Sequence, residues 1–133
     1  MLYAILIYDA ESANPSSEPP PPDVQQAVMT EYNAYTESLR ASGAFQAGDA
    51  LQPAPTATTL RQSEAGLVTT DGPFAETKEA LGGFYVSEAR DLDEALAIAG
   101  RCPGLKYGSS IEVRPVLDYA AVGPATATAG ATA

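Results

Sequence analysis

The sequence predicts a single α+β domain in which two helices lie on one face of an antiparallel β-sheet. Three observations support this fold class. Short segments rich in β-branched and aromatic residues occur near both ends and in the middle of the chain, two segments repeat apolar residues at helical spacing, and turns with Gly or Pro separate them. The chain has 133 residues, of which 45% are hydrophobic, so it is long enough to bury one core.

A central strand and a long helix are predicted in the first third of the chain. Residues 2–8 are apolar throughout, which indicates a strand with both faces covered. A loop over residues 9–22 follows, and its four prolines, Pro19 to Pro22, predict a stiff extended arm. Asp23 is the predicted N-cap of the first helix, which Gly43 ends. Its apolar residues form one stripe along the helix: Val24, Val28, Tyr32, Tyr35 and Leu39.

The middle of the chain is predicted to form strands. Residues 45–51 make one short strand, and residues 56–62 and 66–70 make a hairpin around a turn at 63–66. Residues 81–88 make the next strand, where the pair Gly82-Gly83 predicts a bulge or a close backbone approach.

A second helix and a last strand complete the predicted domain. Asp91 and Glu94 resemble a capping box, and four residues give the helix its buried face: Leu92, Ala95, Leu96 and Ala99. In the strand over residues 109–116, alternation points two residues inward, Ile111 and Val113, and two outward, Glu112 and Arg114. The domain is predicted to span residues 1–118, and the alanine- and threonine-rich residues 119–133 to form a mobile tail.

This order of elements predicts a ferredoxin-like fold with the pattern βαβββαβ. Both helices would cover the same face of the sheet and leave the other face open. A homodimer that pairs the open faces is the simplest way to cover them, and it would form a dimeric α/β-barrel-like assembly.

Composition excludes several classes of function. Seven basic residues against 17 acidic ones give a net charge of −10, which argues against nucleic-acid binding and against an anionic membrane surface. No signal peptide or membrane span is predicted, and the lone Cys102 cannot form an intrachain disulfide, so a cytoplasmic location is expected. Because histidine is absent, Ser-His-Asp and Cys-His catalytic pairs and His-ligated metal sites are excluded. We expect no metal and no cofactor.

The candidate catalytic residues are two carboxylates near a sharp turn. Asp71-Gly72-Pro73-Phe74 has the composition of a turn between two strands, and a close-set group of charges follows it. Asp71 either caps its own backbone or places a carboxylate at a pocket rim. Glu76, the second candidate base, either forms a charge pair with Lys78 that positions a polar ligand or lies with Lys78 on a solvated face.

Candidate ligand-binding residues are mostly aromatic. Tyr32 belongs to a helical stripe that either packs in the core or lines a cavity with its hydroxyl group. Tyr8 lies on the opposite strand face from Tyr3 by parity. Arg114 offers a guanidinium group for a carboxylate, although an ion pair with Glu112 is the simpler interpretation. Phe74, Lys78 and Tyr107 complete the candidate set.

The chain resembles the YCII-related family, in its DGPF-domain branch. Six blocks in the expected order carry this resemblance: residues 3–8, 31–43, 51–59, 71–85, 91–104 and 112–116. The resemblance implies a ferredoxin-like fold, a dimer, and a cleft lined partly by residues 71–85. It also implies a link to extracytoplasmic-function sigma factors, whose genes often neighbour genes of this family.

One relative in the wider superfamily is a dehydrochlorinase that acts on a chlorinated hydroxyquinol through a His–Asp pair. Many family members carry a His shortly before the last strand, where this chain has Tyr107. That catalytic pair therefore cannot be carried over, and the ordinary pKa of tyrosine makes it a poor base at neutral pH.

Three functional hypotheses follow. The first is a homodimer that binds an unknown small molecule in a cleft lined by Asp and Tyr residues, on the open sheet face. The second is a metal-independent lyase or isomerase with Asp71 or Glu76 as its base. The third is an interaction module associated with a sigma factor, to which the acidic surface would contribute.

Overall fold

The computed structural model describes residues 1–10, 21–73 and 79–122. The described elements, in chain order, are β1 (Leu2–Ala10), α1 (Pro22–Ala41), β2 (Phe45–Ala50), β3 (Thr58–Ser63), β4 (Gly66–Asp71), β5 (Glu79–Glu88), α2 (Leu92–Ala99), β6 (Ser110–Pro115) and α3 (Tyr119–Val122). Two 3₁₀ turns, Ala54–Thr56 and Pro103–Tyr107, lie in the connections. The predicted tail therefore begins with a short helix, and residues 123–133 lie outside the described residues.

The main sheet has the strand order β2-β5-β1-β6, and every neighbouring pair is antiparallel. The strand that follows α1 and the strand that precedes α2 pair with each other, and β1 lies at the centre. This order confirms the ferredoxin-like fold. The continuous apolar run at residues 2–8 predicted the central position of β1 correctly.

The hairpin β3–β4 forms a separate two-stranded sheet. Four strands therefore lie between α1 and α2, where the pattern βαβββαβ has three. The hairpin strands are rich in threonine, and their largest apolar side chains, Leu60 and Leu67, are exposed. Such strands have no buried face to place against the main core, so they pair only with each other.

The core lies between one face of the main sheet and helices α1 and α2. Buried side chains from the sheet and from both helices meet there: Tyr3, Ile5, Ile7, Tyr85, Tyr35, Leu39, Ala95, Ile98 and Ala99. Ile111 and Val113 of β6 pack against this cluster, as strand alternation predicted. The other sheet face carries partly exposed apolar residues, among them Ala4, Leu6 and Val86.

The helix starts differ in part from the sequence predictions. α1 begins at Pro22, one residue before the predicted N-cap Asp23, and its first backbone amides donate to the carbonyl oxygen of Pro21. Proline suits this first helical position because its missing N–H would have no partner there. Pro22 is therefore helical and not part of an extended arm. The N-cap of α2 is Asp91, as predicted, and its side chain accepts a hydrogen bond from the Glu94 amide at 2.9 Å.

The predicted buried face of α2 is partly wrong. Ala95 and Ala99 are buried, but Leu92 and Leu96 are each 49% exposed, and Ile98 takes their place in the core. Because α2 has only eight residues, only one narrow stripe of its surface contacts the core. The apolar residues of α2 form two overlapping stripes, and the one that contains Ile98 is the one that faces the core.

Candidate functional site

A cavity of about 960 Å³ lies between α1 and the helix-covered face of the sheet. Its floor comes from β1, β2 and β5, one wall from α1, and one end from the 3₁₀ turn Pro103–Tyr107. We call this cavity the α1 cleft. It does not lie on the open sheet face, where the sequence-based hypothesis placed the ligand.

Two glycines in the floor of the α1 cleft allow close packing of their neighbours. At Gly48 a Cβ atom would come within 2.7 Å of Cδ1 of Tyr85, and at Gly83 it would come within 3.1 Å of the Asp49 carbonyl oxygen. Side chains at either position would therefore displace the Tyr85 ring or the neighbouring strand. Glycine at these two positions therefore allows the Tyr85 ring and the β2 backbone to pack closely on the floor of the cleft.

Hydroxyl groups from α1 and β5 line the middle of the α1 cleft. Thr36 Oγ1 and the Tyr85 hydroxyl group lie 2.8 Å apart and form one hydrogen bond, so one hydroxyl hydrogen of the pair remains for another acceptor. The hydroxyl group of Tyr32 lies 3.8 Å from Cys102 Sγ. Burial raises the pKa of Tyr32 and of Tyr85, so both phenols stay protonated at neutral pH.

A carboxylate lies at the end of the α1 cleft where β1 finishes. Asp9 Oδ1 accepts a hydrogen bond of 2.6 Å from Ser109 Oγ, just before β6. Asp9 Oδ2 lies so close to Gly82 that a Cβ atom there would collide with it. Gly82 is also the extra residue of a bulge, because Ile7 pairs with Gly83 and Tyr8 with Leu81.

A cluster of three polar side chains joins α1 to the 3₁₀ turn at the rim. Glu31 Oε1 accepts a hydrogen bond from Lys106 Nζ and Glu31 Oε2 accepts one from the Tyr107 hydroxyl group, each 2.7 Å long. Both bonds favour the charged carboxylate and hold the pKa of Glu31 below its usual range. The bond to Glu31 also raises the pKa of Tyr107. We call these three residues the rim clasp.

At the other end of the α1 cleft, a cation packs on an aromatic ring. The guanidinium carbon of Arg40 lies 4.8 Å from the centroid of the Phe45 ring. Arg40 also pairs with Glu37 at 3.1 Å. This end therefore holds a positive charge that already has a carboxylate and a ring as neighbours.

Comparison with known proteins assigns the chain to a family. The family model of the YCII-related domain matches residues 1–120. The chain belongs to the YCII-related family. An uncharacterised protein of Rhizobium meliloti (strain 1021) is 37% identical over 120 residues, which is 90% of this chain and 94% of that protein.

One solved structure similar to this YCII-related chain is a 5-chloro-2-hydroxyhydroquinone dehydrochlorinase from Burkholderia phenoliruptrix AC1100 in complex with 2,5-dihydroxybenzoquinone. It is 22% identical, the match covers 90% of this chain and 96% of that one, and the TM-score is 0.49.

The structure of this YCII-related domain brings together only some of the predicted site residues. Tyr32 and Tyr107 line the α1 cleft. Tyr8 borders a smaller cavity of about 470 Å³ beside the base of the β3–β4 hairpin. Arg114 is exposed and pairs with Glu112 at 2.6 Å, as strand alternation suggested. Asp71 is exposed at the end of β4 and does not line either cavity.

Three further predicted site residues, Phe74, Glu76 and Lys78, lie outside the described residues. No group of three or more potential metal ligands occurs in the described parts of the chain. Within the same ranges, no helix combines the length and the apolar character needed to cross a bilayer.

Sequence reasoning missed Asp9, Ser109 and Thr36. The predicted first strand ended at Tyr8, and Asp9 was assigned to a loop, whereas β1 continues to Ala10. A charged residue directly after a buried strand was the available signal for Asp9. Ser109 and Thr36 gave no such signal, because only the folded chain shows that they border the same cavity.

Proposed function

We propose that this YCII-related protein is a homodimer that binds a small molecule in the α1 cleft of each subunit. The observation that carries the proposal is a preformed cavity of about 960 Å³ with few polar groups on a mostly apolar lining. Cavities of this size and composition are typical of small-molecule sites.

The polar groups of the α1 cleft are held in place before any ligand arrives. Ser109 fixes the Asp9 carboxylate, and the Thr36–Tyr85 pair fixes two hydroxyl groups. Fixed donors and acceptors reduce the entropy that a ligand would lose when it orders them. Such an arrangement supports orientation of a ligand by hydrogen bonds.

The proposed dimer rests on the open face of the main sheet. Leu6 pairs in register with Phe84 on β5 and with Glu112 on β6, so these side chains share that face. Leu6 and Phe84 are only partly buried in the single chain. A second copy of the same face would remove this apolar surface from water and build the barrel-like assembly expected of the fold.

Native mass spectrometry at low activation energy tests both parts of the proposal. We expect a dimer that retains a small molecule after gentle purification. In Asn33→Trp the indole would enter the α1 cleft, so the retained mass should be lost. Ala34→Trp is the matched control, because Ala34 is also exposed on α1 but does not line the cleft.

A bare dimer in which Asn33→Trp changes nothing would contradict the binding proposal. A monomer at micromolar concentration would contradict the dimer. Equal loss of ligand in Asn33→Trp and Ala34→Trp would show that the effect arises from damage to α1 and not from occupation of the cleft.

A metal-independent lyase or isomerase is the second candidate, and the position of Asp9 favours it. Asp71 is exposed outside the α1 cleft, so the carboxylate that we propose as a base is Asp9 instead. Asp9→Asn removes the base and keeps the shape of the side chain. If the protein catalyses a reaction, Asp9→Asn should retain the unconverted substrate. The mass of that molecule should differ from the mass of the molecule retained by the natural protein.

A further inference from the structure

We infer that the α1 cleft selects a small organic amine, whose ammonium group lies at Asp9 and whose apolar part lies over the sheet. This inference rests on the proposed function, because it names the chemical class of ligand for the same cleft. Three features of the described lining residues support it: their charges, their aromatic rings and their apolar surface.

The balance of charge in the α1 cleft favours a cation. Asp9 places its carboxylate in the cleft, and the one basic side chain among the described lining residues is Arg40. Arg40 already pairs with Glu37 at 3.1 Å. Asp9 accepts its hydrogen bond from neutral Ser109, so its charge has no ionic partner among the described residues. An anion would meet repulsion here, and the net charge of −10 adds to it.

The rim clasp gives an example, within the protein itself, of an ammonium group placed between a carboxylate and an aromatic ring. Lys106 Nζ lies 2.7 Å from Glu31 Oε1 and 5.6 Å from the centroid of the Tyr107 ring. Arg40 repeats the arrangement at the opposite end, with a ring on one side and a carboxylate on the other. Aromatic faces attract cations through their quadrupole, and the rings of Tyr32 and Tyr107 border the same end of the cleft as Asp9.

The remaining lining fits the apolar part of such an amine. Ile7, Val28 and Leu51 contribute aliphatic surface, and the Tyr85 ring, which packs over Gly48, adds an aromatic surface to the floor. One carboxylate near aromatic rings, with apolar surface beyond it, matches an amine that carries an aryl or alkyl group a few bonds from its nitrogen. 2-Phenylethylamine is the probe of that shape.

The test compares three probes of the same shape in titrations followed by two-dimensional amide NMR. The probes are 2-phenylethylamine, 2-phenylethanol and phenylacetate, which are cationic, neutral and anionic. We expect the amine to shift the amide signals of Gly48, Gly82 and Gly83 in a saturable way. It should bind about fivefold more tightly than the alcohol, as one exposed ion pair allows, and phenylacetate should not saturate.

Asp9→Asn should reduce the affinity for the amine to that for the alcohol. Asp93→Asn is the control, because it changes the net charge equally at an exposed position on α2 outside the cleft. A similar loss in both variants would overturn the assignment to Asp9, because it would show that only the overall charge of the protein matters.

The outcomes separate this inference from the proposed function. Equal or tighter binding of the alcohol or of phenylacetate, with shifts that Asn33→Trp abolishes, would overturn the amine and leave the cleft as a binding site. Absence of saturable shifts with all three probes would also overturn the amine. The mass retained by the natural protein and lost in Asn33→Trp would then still decide whether the cleft binds another class of molecule.

Discussion

Tyr32 and Tyr35 lie three residues apart on one helical stripe, yet their hydroxyl groups serve different purposes. The Tyr35 hydroxyl group donates a hydrogen bond of 2.8 Å to the carbonyl oxygen of Ile98, so it ties α1 to α2 inside the core. The Tyr32 hydroxyl group lies next to Cys102 and so close to Gly104 that a Cβ atom there would be 2.6 Å away. The stripe predicted from the sequence is therefore core at one end and cavity wall at the other.

We predict that the folded protein loses stability in alkali because of these buried phenols. Burial raises the pKa of Tyr32, Tyr35 and Tyr85 above that of an unfolded tyrosine, near 10. The stabilising contribution is therefore fully present below about pH 10 and is lost as pH rises towards the folded-state pKa values. Melting temperatures recorded from pH 8 to pH 12 should fall above pH 10.

The variant Tyr32→Phe isolates one of these contributions. It should melt at nearly the same temperature as the natural chain at pH 8 and show a shallower fall above pH 10. Tyr119→Phe, at a tyrosine that is 42% exposed, should keep the full alkaline fall. Parallel alkaline curves for all three proteins would mean that ionisation of Tyr32 does not contribute.

At the scale of elements, the bulge at Gly82 positions the end of β1. The sequence predicted a bulge or a close approach at Gly82-Gly83, and the structure has both. What the sequence could not show is that β1 continues past the bulge, because its pairing with Ala80 and Glu79 depends on residues that are distant in the chain. That continuation is what carries Asp9 to the end of the α1 cleft.

A double-mutant cycle tests the contact between Asp9 and Gly82. Gly82→Ala should lower the free energy of unfolding by about 1 kcal/mol, because the new methyl group moves the Asp9 carboxylate away from Ser109 and breaks that hydrogen bond. In the Asp9→Ala background the same substitution should be neutral or slightly stabilising, since alanine loses less backbone entropy than glycine on folding. Equal costs in both backgrounds, measured by urea unfolding, would show that the two residues do not interact.

The rim clasp is predicted to add stability that depends on pH. Hydrogen bonds from Lys106 and Tyr107 lower the pKa of Glu31, so its contribution is present above the unfolded value near 4.5 and is lost as pH falls through the folded-state pKa. At pH 7, Glu31→Gln should lower the melting temperature by a small amount, on the order of 2 °C, because Lys106 and Tyr107 are exposed to solvent and Glu31 is only partly buried. The difference should vanish in acid.

Glu64→Gln is the control for the rim clasp, because Glu64 is exposed at the tip of the β3–β4 hairpin and its loss changes the net charge equally. The two variants should differ at pH 7 and converge at low pH. A Glu31→Gln difference that stays constant across the whole pH range would contradict the role given to the charged carboxylate.

At the scale of the whole molecule, the order of strands and helices could be predicted because each element carries its own periodicity. Residues 2–8 and 81–88 identified the two long strands, and the inward positions Ile111 and Val113 followed from alternation. The α1 cleft could not be predicted in the same way, because it forms where α1, β1, β5 and the last 3₁₀ turn meet. Of the predicted site residues, Tyr32 and Tyr107 border it and Asp71 does not. The association with a sigma factor stays a prediction of the family resemblance.

The open sheet face and the net charge together give the last prediction, on how the proposed dimer responds to salt. Each subunit carries a net charge of −10, so two subunits repel each other, and added salt screens that repulsion. The dissociation constant measured by analytical ultracentrifugation should therefore fall as sodium chloride is raised from low ionic strength. This trend is expected of an apolar interface between like-charged subunits, and an interface held by ion pairs would show the opposite one.

Leu6→Asp places a charge in the centre of that interface and should weaken the dimer at least about 30-fold, the loss expected at a central interface residue. Leu96→Asp is the control, because Leu96 is 49% exposed on α2, on the other side of the sheet. Dissociation by Leu96→Asp alone would place the interface on the helices. In that case the open face, with Leu6 and Phe84 only partly buried, would still need a different partner to cover it.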